Sequence, residues 1–257
     1  MIYFGIPLRS KKASKNWAMV TKIFNRTLES IYRQTDPDFH VIIACHDIPE
    51  LYRNYDERVE FLVSDQPLPE NKREMRLDKG WKISMIAVRI RQMGGGYTMI
   101  VDSDDIVSNR IAEYVNAHPG ENGFLSKFGY LYREGMPYVK KIYAPHRICG
   151  SCSIINYSVE DLPDIMPENL WDDTFKDKWI IRKSHRLLPK YLKEHGRELA
   201  RMPFPTTIYV RNTNDNISMM GGRDLNKKRK IEGMLRRKIK LTGRVGFEFG
   251  FIEEYEK

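Results

Sequence analysis

Apolar and polar positions fall along the chain in blocks of two kinds: short continuous apolar runs of strand length, and longer stretches with helical spacing. Ile2 to Ile6 is a run of the first kind, stopped by Pro7. Trp17 to Arg33 follows, with Val20, Ile23, Phe24, Leu28 and Ile31 spaced to share one helix face, and Thr35-Asp36-Pro37-Asp38 closes it as a turn. Phe39 to Cys45 and Val59 to Val63 read as a second and a third buried strand. A loop rich in Asp, Pro and Lys from Ser64 to Lys72 leads into a helix over Arg73 to Met93, ended by Gly94-Gly95-Gly96. Tyr97 to Val101 is the fourth strand. Strands alternating with helices at this spacing predict an α/β fold with a mainly parallel, helix-flanked sheet, because parallel neighbours need a crossover between them. Beyond this unit, Gly123 to Tyr143 reads as strands or ribbons, helical segments are expected from Ser158 through His195, and Thr206 to Val210 reads as a last strand before a polar loop.

The chain has 257 residues, long for one ordinary domain and short for two large ones. The expectation is one α/β domain over 1–220 and an appended segment over 221–257. Apolar residues make up 41% and aromatics 11%, which excludes a largely disordered or collagen-like chain. No run reaches the roughly eighteen uncharged apolar residues a bilayer span needs, and the apolar start is too short for a signal peptide, so a cytoplasmic protein is expected. Three cysteines do not ask for an oxidising compartment. Cys149-Gly150-Ser151-Cys152 has the spacing of a redox motif or of half a zinc site, but the plainer reading, buried small residues, is preferred.

The net charge is +9, and its location matters more than its size. Residues 226–240 carry eight Lys and Arg against Glu232 alone, a charge of +7 that leaves the rest of the chain near neutral at +2. Ile231, Met234, Leu235 and Ile239 recur there at helical spacing. Two readings are open: a basic amphipathic helix lying peripherally on an anionic membrane or on a partner, or a solvated helix docking its apolar stripe on the domain. Basic charge confined to one segment does not match a nucleic-acid-binding domain, and no nucleic acid is expected.

The most informative stretch is Val101-Asp102-Ser103-Asp104-Asp105, three carboxylates directly after a buried strand and ahead of a helix expected near Ser108. Carboxylates clustered at a strand end repel one another unless a cation or hydrogen bonds offset the charge, and hard cations such as Mg²⁺ and Mn²⁺ take oxygen ligands together with a substrate's phosphates. The alternative is a capping and turn cluster.

In this context the sequence resembles the family-two glycosyltransferases of the GT-A fold over most of residues 1 to 220. Ile6-Pro7 with its polar loop is similar to the family's first strand. Thr27-Leu28-Glu29-Ser30-Ile31 with Gln34-Thr35 ahead of Phe39 to Ala44 resembles its first helix and second strand. Asp78-Lys79-Gly80 is similar to its nucleotide segment, and Ile100 to Asp105 to its metal motif. Cys149-Gly150-Ser151 resembles the acceptor loop, Asp172-Asp173 the acidic pair holding the catalytic base, and Tyr209-Val210-Arg211 with Asn216-Ile217-Ser218 the closing donor loop.

The resemblance implies that Pro7, Leu8 and Arg9 lie against the nucleotide, that Asp47 faces the base and that Lys79 approaches it. Asp102 would bind the ribose or sugar, with Ser103 beside it, and Asp104 would hold Mn²⁺ or Mg²⁺ on the diphosphate. Asp173, or Asp172, would deprotonate the acceptor hydroxyl, and Arg211 would neutralise the leaving diphosphate. The implied function is transfer of a sugar from a nucleoside-diphosphate sugar, a UDP-sugar first, to a hydroxyl on a glycan or lipid-linked acceptor, with inversion. Two positions depart from the pattern. Thr213 stands where many metal-dependent members have histidine, which leaves Asn214 or Asp215 to substitute, and Cys45-His46-Asp47 replaces a commoner acidic pair, so that His46 either alters base recognition or caps the strand. The competing readings are a nucleotide-sugar-binding protein without turnover and a nucleic-acid-binding module built on 226–240.

Overall fold

The computed structural model describes residues 1–169, 178–211 and 238–252. Within them a seven-stranded sheet forms the centre, in the order β10-β6-β9-β4-β1-β2-β3. Its parallel part is β1 (Ile2–Pro7), β2 (Phe39–Cys45), β3 (Val59–Val63) and β4 (Gly96–Ile100). β9 (Ser153–Tyr157) runs antiparallel between β4 and β6 (Gly123–Ser126), and β10 (Ala200–Met202) lies parallel to β6. A mixed α/β fold with a mostly parallel central sheet is therefore the observed architecture.

α1 (Trp17–Tyr32) starts where the Asn16 side chain accepts the Met19 N–H at 3.0 Å. It buries Ile23, Phe24, Leu28 and Ile31 against one face of the sheet, each contributing roughly 1.5–3 kcal/mol of transfer free energy. α2 (Lys72–Gln92) covers the other face with Ile86, Ala87 and Ile90. It is capped by Asn71, whose side chain accepts the N–H groups of Arg73 and Glu74. It ends as expected at three glycines, all with positive φ (+96, +76 and +133), where Gly95 N–H returns to the Ile90 carbonyl at 3.0 Å.

A second sheet has the order β12-β8-β7-β11-β5. It contains β5 (Ile106–Val107), β7 (Phe128–Arg133), β8 (Tyr138–Tyr143), β11 (Thr207–Arg211) and β12 (Lys238–Lys240). The ribbons expected over Gly123 to Tyr143 are thus divided between the two sheets. One face of the second sheet is covered by Leu241, Val245, Phe249 and Phe251, from and around α5 (Arg244–Glu248).

Three expectations are corrected. The helix after the carboxylates, α3 (Ile111–Asn116), begins later than Ser108, because 106–107 pair as a strand with β11. Residues 158–169 are not helical, being interrupted by Pro163 and Pro167, while 178–195 does carry helical structure, at Lys178, in the 3-10 turn Ile180–Arg182 and in α4 (Leu188–Glu194); 170–177 lie outside the described residues. Lys238, Ile239 and Lys240, read as the end of the basic helix, form an edge strand instead, with Ile239 packed on the second core. The rest of the basic segment, 226–237, lies outside the described residues, as do Asp172, Asp173, Thr213, Asn214, Asp215 and 216–218. No helix among the described residues is long and apolar enough to cross a membrane.

Candidate functional site

The strand order itself marks a position. From β1 the chain moves outward to β2 and β3, then returns to place β4 on the opposite side of β1. The direction of winding reverses between β1 and β4, and in open parallel sheets ligands occupy the crevice outside the carboxyl ends of the two strands at such a switch point. Pro7, Leu8 and Arg9 leave β1 there, and Asp102, Ser103 and Asp104 follow β4 there.

Polar groups of α1 tie the carboxylate turn to the sheet. Thr27 Oγ1 donates to the Ser103 carbonyl at 3.1 Å, and Ser30 Oγ accepts the Val107 N–H at 3.1 Å. Buried Gln34 spans the next turn, donating to the Ser108 carbonyl and accepting the Ala112 N–H, both at 2.8 Å. Thr27, Ser30 and Gln34, which lie in the stretch that carried the resemblance, therefore hold the segment after β4 in place.

The three carboxylates have separate environments. Asp102 pairs with Lys79 Nζ, which α2 brings across, and its backbone N–H donates to Ser151 Oγ at 2.8 Å. Asp105 is fully buried and accepts from Ser151 Oγ at 2.7 Å, Cys149 Sγ at 3.1 Å and the Val210 N–H at 3.3 Å. Burial, then Cys149 and the two neighbouring aspartates, push the Asp105 carboxyl well above the usual range against the opposing Ser151 bond. Asp105 is thus a structural junction between the sheets. Asp104 stays partly exposed, and burial together with Asp102 raises it to about 6, with Lys79 and Arg9 acting the other way. Burial works against the charge on Lys79, but Asp102, Asp104 and Asp105 outweigh it and raise its pKa.

Other expected site residues are also placed. The Leu8 side chain belongs to the core, so only its backbone can face a ligand. Asp47 accepts the Lys11 N–H at 2.8 Å and thereby closes the loop after β1 onto the end of β2. His46 turns inward with its side chain 7% exposed. Nε2 lies 3.0 Å from the Gln66 carbonyl oxygen and Nδ1 lies 3.6 Å from Asp78, so its ring braces the loop after β3. Arg211 closes β11, one residue beyond the Val210 N–H on Asp105.

Sequence reasoning gave Lys82 and Arg182 no role, and it read 149–152 as an acceptor-loop resemblance or as buried small residues without the contacts these make. Lys82, 1% exposed, donates to the Leu8 carbonyl and to Asp78, both at 2.8 Å, and so fixes the end of β1. Burial lowers its pKa and Asp78 offsets part of that fall. Its position four residues after Asp78 was the one available signal. Arg182 rests its guanidinium against Gly80 and donates to Ser84 Oγ at 2.9 Å. Ser151 bridges Asp102 and Asp105, while Gly150 lies beside Asp102, where a Cβ would meet the carboxylate at 3.5 Å, an ordinary contact. Cys149 and Cys152 are buried free thiols, in line with the plainer reading of that pair.

Among the described residues no three His, Cys, Asp or Glu side chains form a group that could hold a metal ion by themselves. Asp105 is buried and engaged by Ser151, Cys149 and Val210, whereas Asp102 and Asp104 are partly exposed, so a hard cation at this turn could reach those two and would need phosphate oxygens of a ligand to complete its shell.

No protein-family model matches the chain, and no curated protein matches it. Among solved structures it is similar to the crystal structure of S. aureus TarS, with 14% identity and a TM-score of 0.44 over 89% of this chain and 41% of that one. The chain thus spans less than half the length of that protein, and a likeness so distant says nothing about chemistry, which rests on the site itself.

Proposed function

We propose that the chain is a glycosyltransferase of the family-two, GT-A type, which takes a sugar from a nucleoside-diphosphate sugar, a UDP-sugar first, and passes it to a hydroxyl acceptor with inversion. One observation carries the reading: an Asp102-Ser103-Asp104 turn at the β1/β4 switch point, with Arg9 and Lys79 acting on the same carboxylates. Those are the charges a diphosphate-bearing ligand needs, cations for its oxygens and a carboxylate for its counter-cation.

In this reading Pro7, Arg9 and the Leu8 backbone bind along the nucleotide and Asp47 faces its base. Asp102, oriented by Lys79 and Ser151, receives ribose or sugar hydroxyls beside Ser103. Asp104 would hold Mn²⁺ or Mg²⁺, which when bound supplies neutralising charge at the diphosphate. Arg211 adds a second positive group near the leaving side. Asp173, or Asp172, takes the proton of the acceptor hydroxyl as it attacks. The acceptor is a glycan or lipid-linked hydroxyl, and of the basic segment 226–240 the part before the edge strand, 226–237, gives peripheral contact with an anionic membrane. Undiminished binding of a chain lacking 226–237 to anionic liposomes would remove that last element.

The test is release of UDP from a panel of UDP-sugars with Mn²⁺, with and without hydroxyl acceptors. Acceptor-stimulated release that Asp173→Asn or Asp172→Asn abolishes supports the proposal. Tight nucleotide binding with no release from any donor would instead make the chain a nucleotide-sugar-binding protein without turnover.

A further inference from the structure

The register of the second sheet sorts its side chains between two faces. Ile106, Tyr130, Tyr132, Val139, Ile208 and Val210 belong to the buried cluster, with Ile239 packed against it. Their neighbours along each strand point to the opposite face. There Tyr209 stands opposite Leu131, Leu131 opposite Lys140, and Lys140 opposite Lys238. Two residues further along each strand, Arg211 stands opposite Arg133 and Tyr138 opposite Lys240. Five cations and two tyrosines thus share one face of four adjacent strands, with no acid in either row.

Like charges directly opposite one another destabilise a strand pair, so packing does not select Lys140 against Lys238 or Arg133 against Arg211. Arg133, Lys238 and Lys240 are exposed, and among the described residues no carboxylate forms an ion pair with any of the three. Lys238 Nζ lies 4.8 Å from the centroid of the Tyr138 ring. The strip spans roughly 14 Å from β11 to β12 at the usual interstrand spacing. Its β11 end adjoins the candidate site, because Val210, which donates to Asp105, immediately precedes Arg211.

We infer that this face is an extended acceptor subsite for an acidic glycan, with the cations taking acidic substituents and the tyrosines taking sugar rings and hydroxyls. The link to an acceptor rests on the transferase reading; the binding does not. Two other polyanions fit less well. Among the described residues the exposed large apolar side chains Ile48, Val63, Ile148 and Leu187 lie on other elements, and Tyr143, at the end of β8, has the parity of Val139 on the opposite face, so this face offers no exposed apolar anchor for a lipid bilayer. Tyr138 and Tyr209 are half-buried and Tyr138 carries Lys238 over its ring, which leaves no open stacking platform of the sort single-stranded nucleic acid uses.

The test uses the full chain and the triple variant Arg133→Glu, Lys238→Glu, Lys240→Glu, which leaves the cations of 227–237 and every donor-site residue untouched. Fluorescence anisotropy is recorded with labelled oligogalacturonate, a phosphorylated malto-oligosaccharide, neutral malto-oligosaccharide and a single-stranded oligonucleotide, and sedimentation with phosphatidylglycerol vesicles. The expected result is salt-sensitive binding of either acidic saccharide, a loss of about tenfold or more in the variant, and no binding of the neutral one. UDP affinity should be equal in both proteins, and Arg133→Gln, Lys238→Gln, Lys240→Gln replaces the variant if charge reversal impairs folding. Absence of acidic-saccharide binding, undiminished affinity in the variant, or strip-dependent binding of the oligonucleotide or vesicles alone would overturn the inference. A wild type that binds acidic saccharide but no nucleotide would remove the transferase reading and leave this surface standing.

Discussion

Lys82→Met isolates the physics that holds the floor of the site. Its ammonium is 1% exposed and makes two bonds of 2.8 Å, one to Asp78, itself 6% exposed, and one to the carbonyl of Leu8 at the end of β1. Methionine fills the stem volume but leaves Asp78 charged and buried without its cation, a loss of about 3–5 kcal/mol. The orphaned Leu8 carbonyl adds about 1 kcal/mol. Burial already lowers the Lys82 pKa, so the pair is stabilised by mutual attraction against a desolvation cost. Replacing both partners, Lys82→Met with Asp78→Leu, should therefore recover much of the loss. Urea denaturation followed by circular dichroism reads both effects, with an unchanged m-value certifying the comparison. UDP affinity should weaken in the single variant, because the backbone that Lys82 holds leads directly into Arg9. A loss under about 1 kcal/mol for Lys82→Met, or a double variant no more stable than the single one, would refute the reasoning.

Three further outcomes are expected. Because the folded protein holds the Asp104 carboxyl at about 6, above its ordinary 3.8, ionisation there lowers stability as pH rises through that interval, and a bound cation offsets the loss. Thermal stabilisation by Mn²⁺ should accordingly be present above about pH 6 and fade below it; stabilisation unchanged at pH 5 would contradict the assignment. Asp173→Asn or Asp172→Asn should lower kcat by about 10²–10⁴ while leaving UDP affinity unchanged in calorimetry. Gly150→Leu places a side chain against the Asp102 carboxylate, whose oxygen would lie 3.5 Å from the new Cβ, so the Tm should hold while turnover falls.

The parallel core was readable because its signals are local. Phe39–Cys45 is a largely apolar run buried in the sheet; Val59–Val63 also has the expected limits, but it is the half-buried edge strand with Val63 exposed, not the buried strand expected, because β2 covers only one of its sides. The helix after β3 was readable from the polar loop that leads into it and its glycine stop, although its inward face includes Asp78 and Lys82, which no apolar periodicity reports. β9 was missed because its neighbours β4 and β6 lie far away in sequence, and antiparallel insertion between them leaves no mark on residues 153–157. Lys238–Lys240 was misread as helix because Ile239 fits a helical stripe; its pairing with β8 depends on a contact about a hundred residues distant. At the site, the position of the carboxylates after a buried strand was visible. Their division of labour was not, because Lys79, Ser151, Cys149 and Val210 reach Asp102 and Asp105 only through the tertiary fold.

Calorimetric titration of UDP and of GDP, each with and without Mn²⁺, into the wild type and into Asp104→Ala bears on the donor site without any knowledge of the acceptor. The account predicts UDP binding that requires Mn²⁺ and is lost in Asp104→Ala. Binding of neither nucleotide under any condition, or UDP binding indifferent to both Mn²⁺ and Asp104, would contradict it.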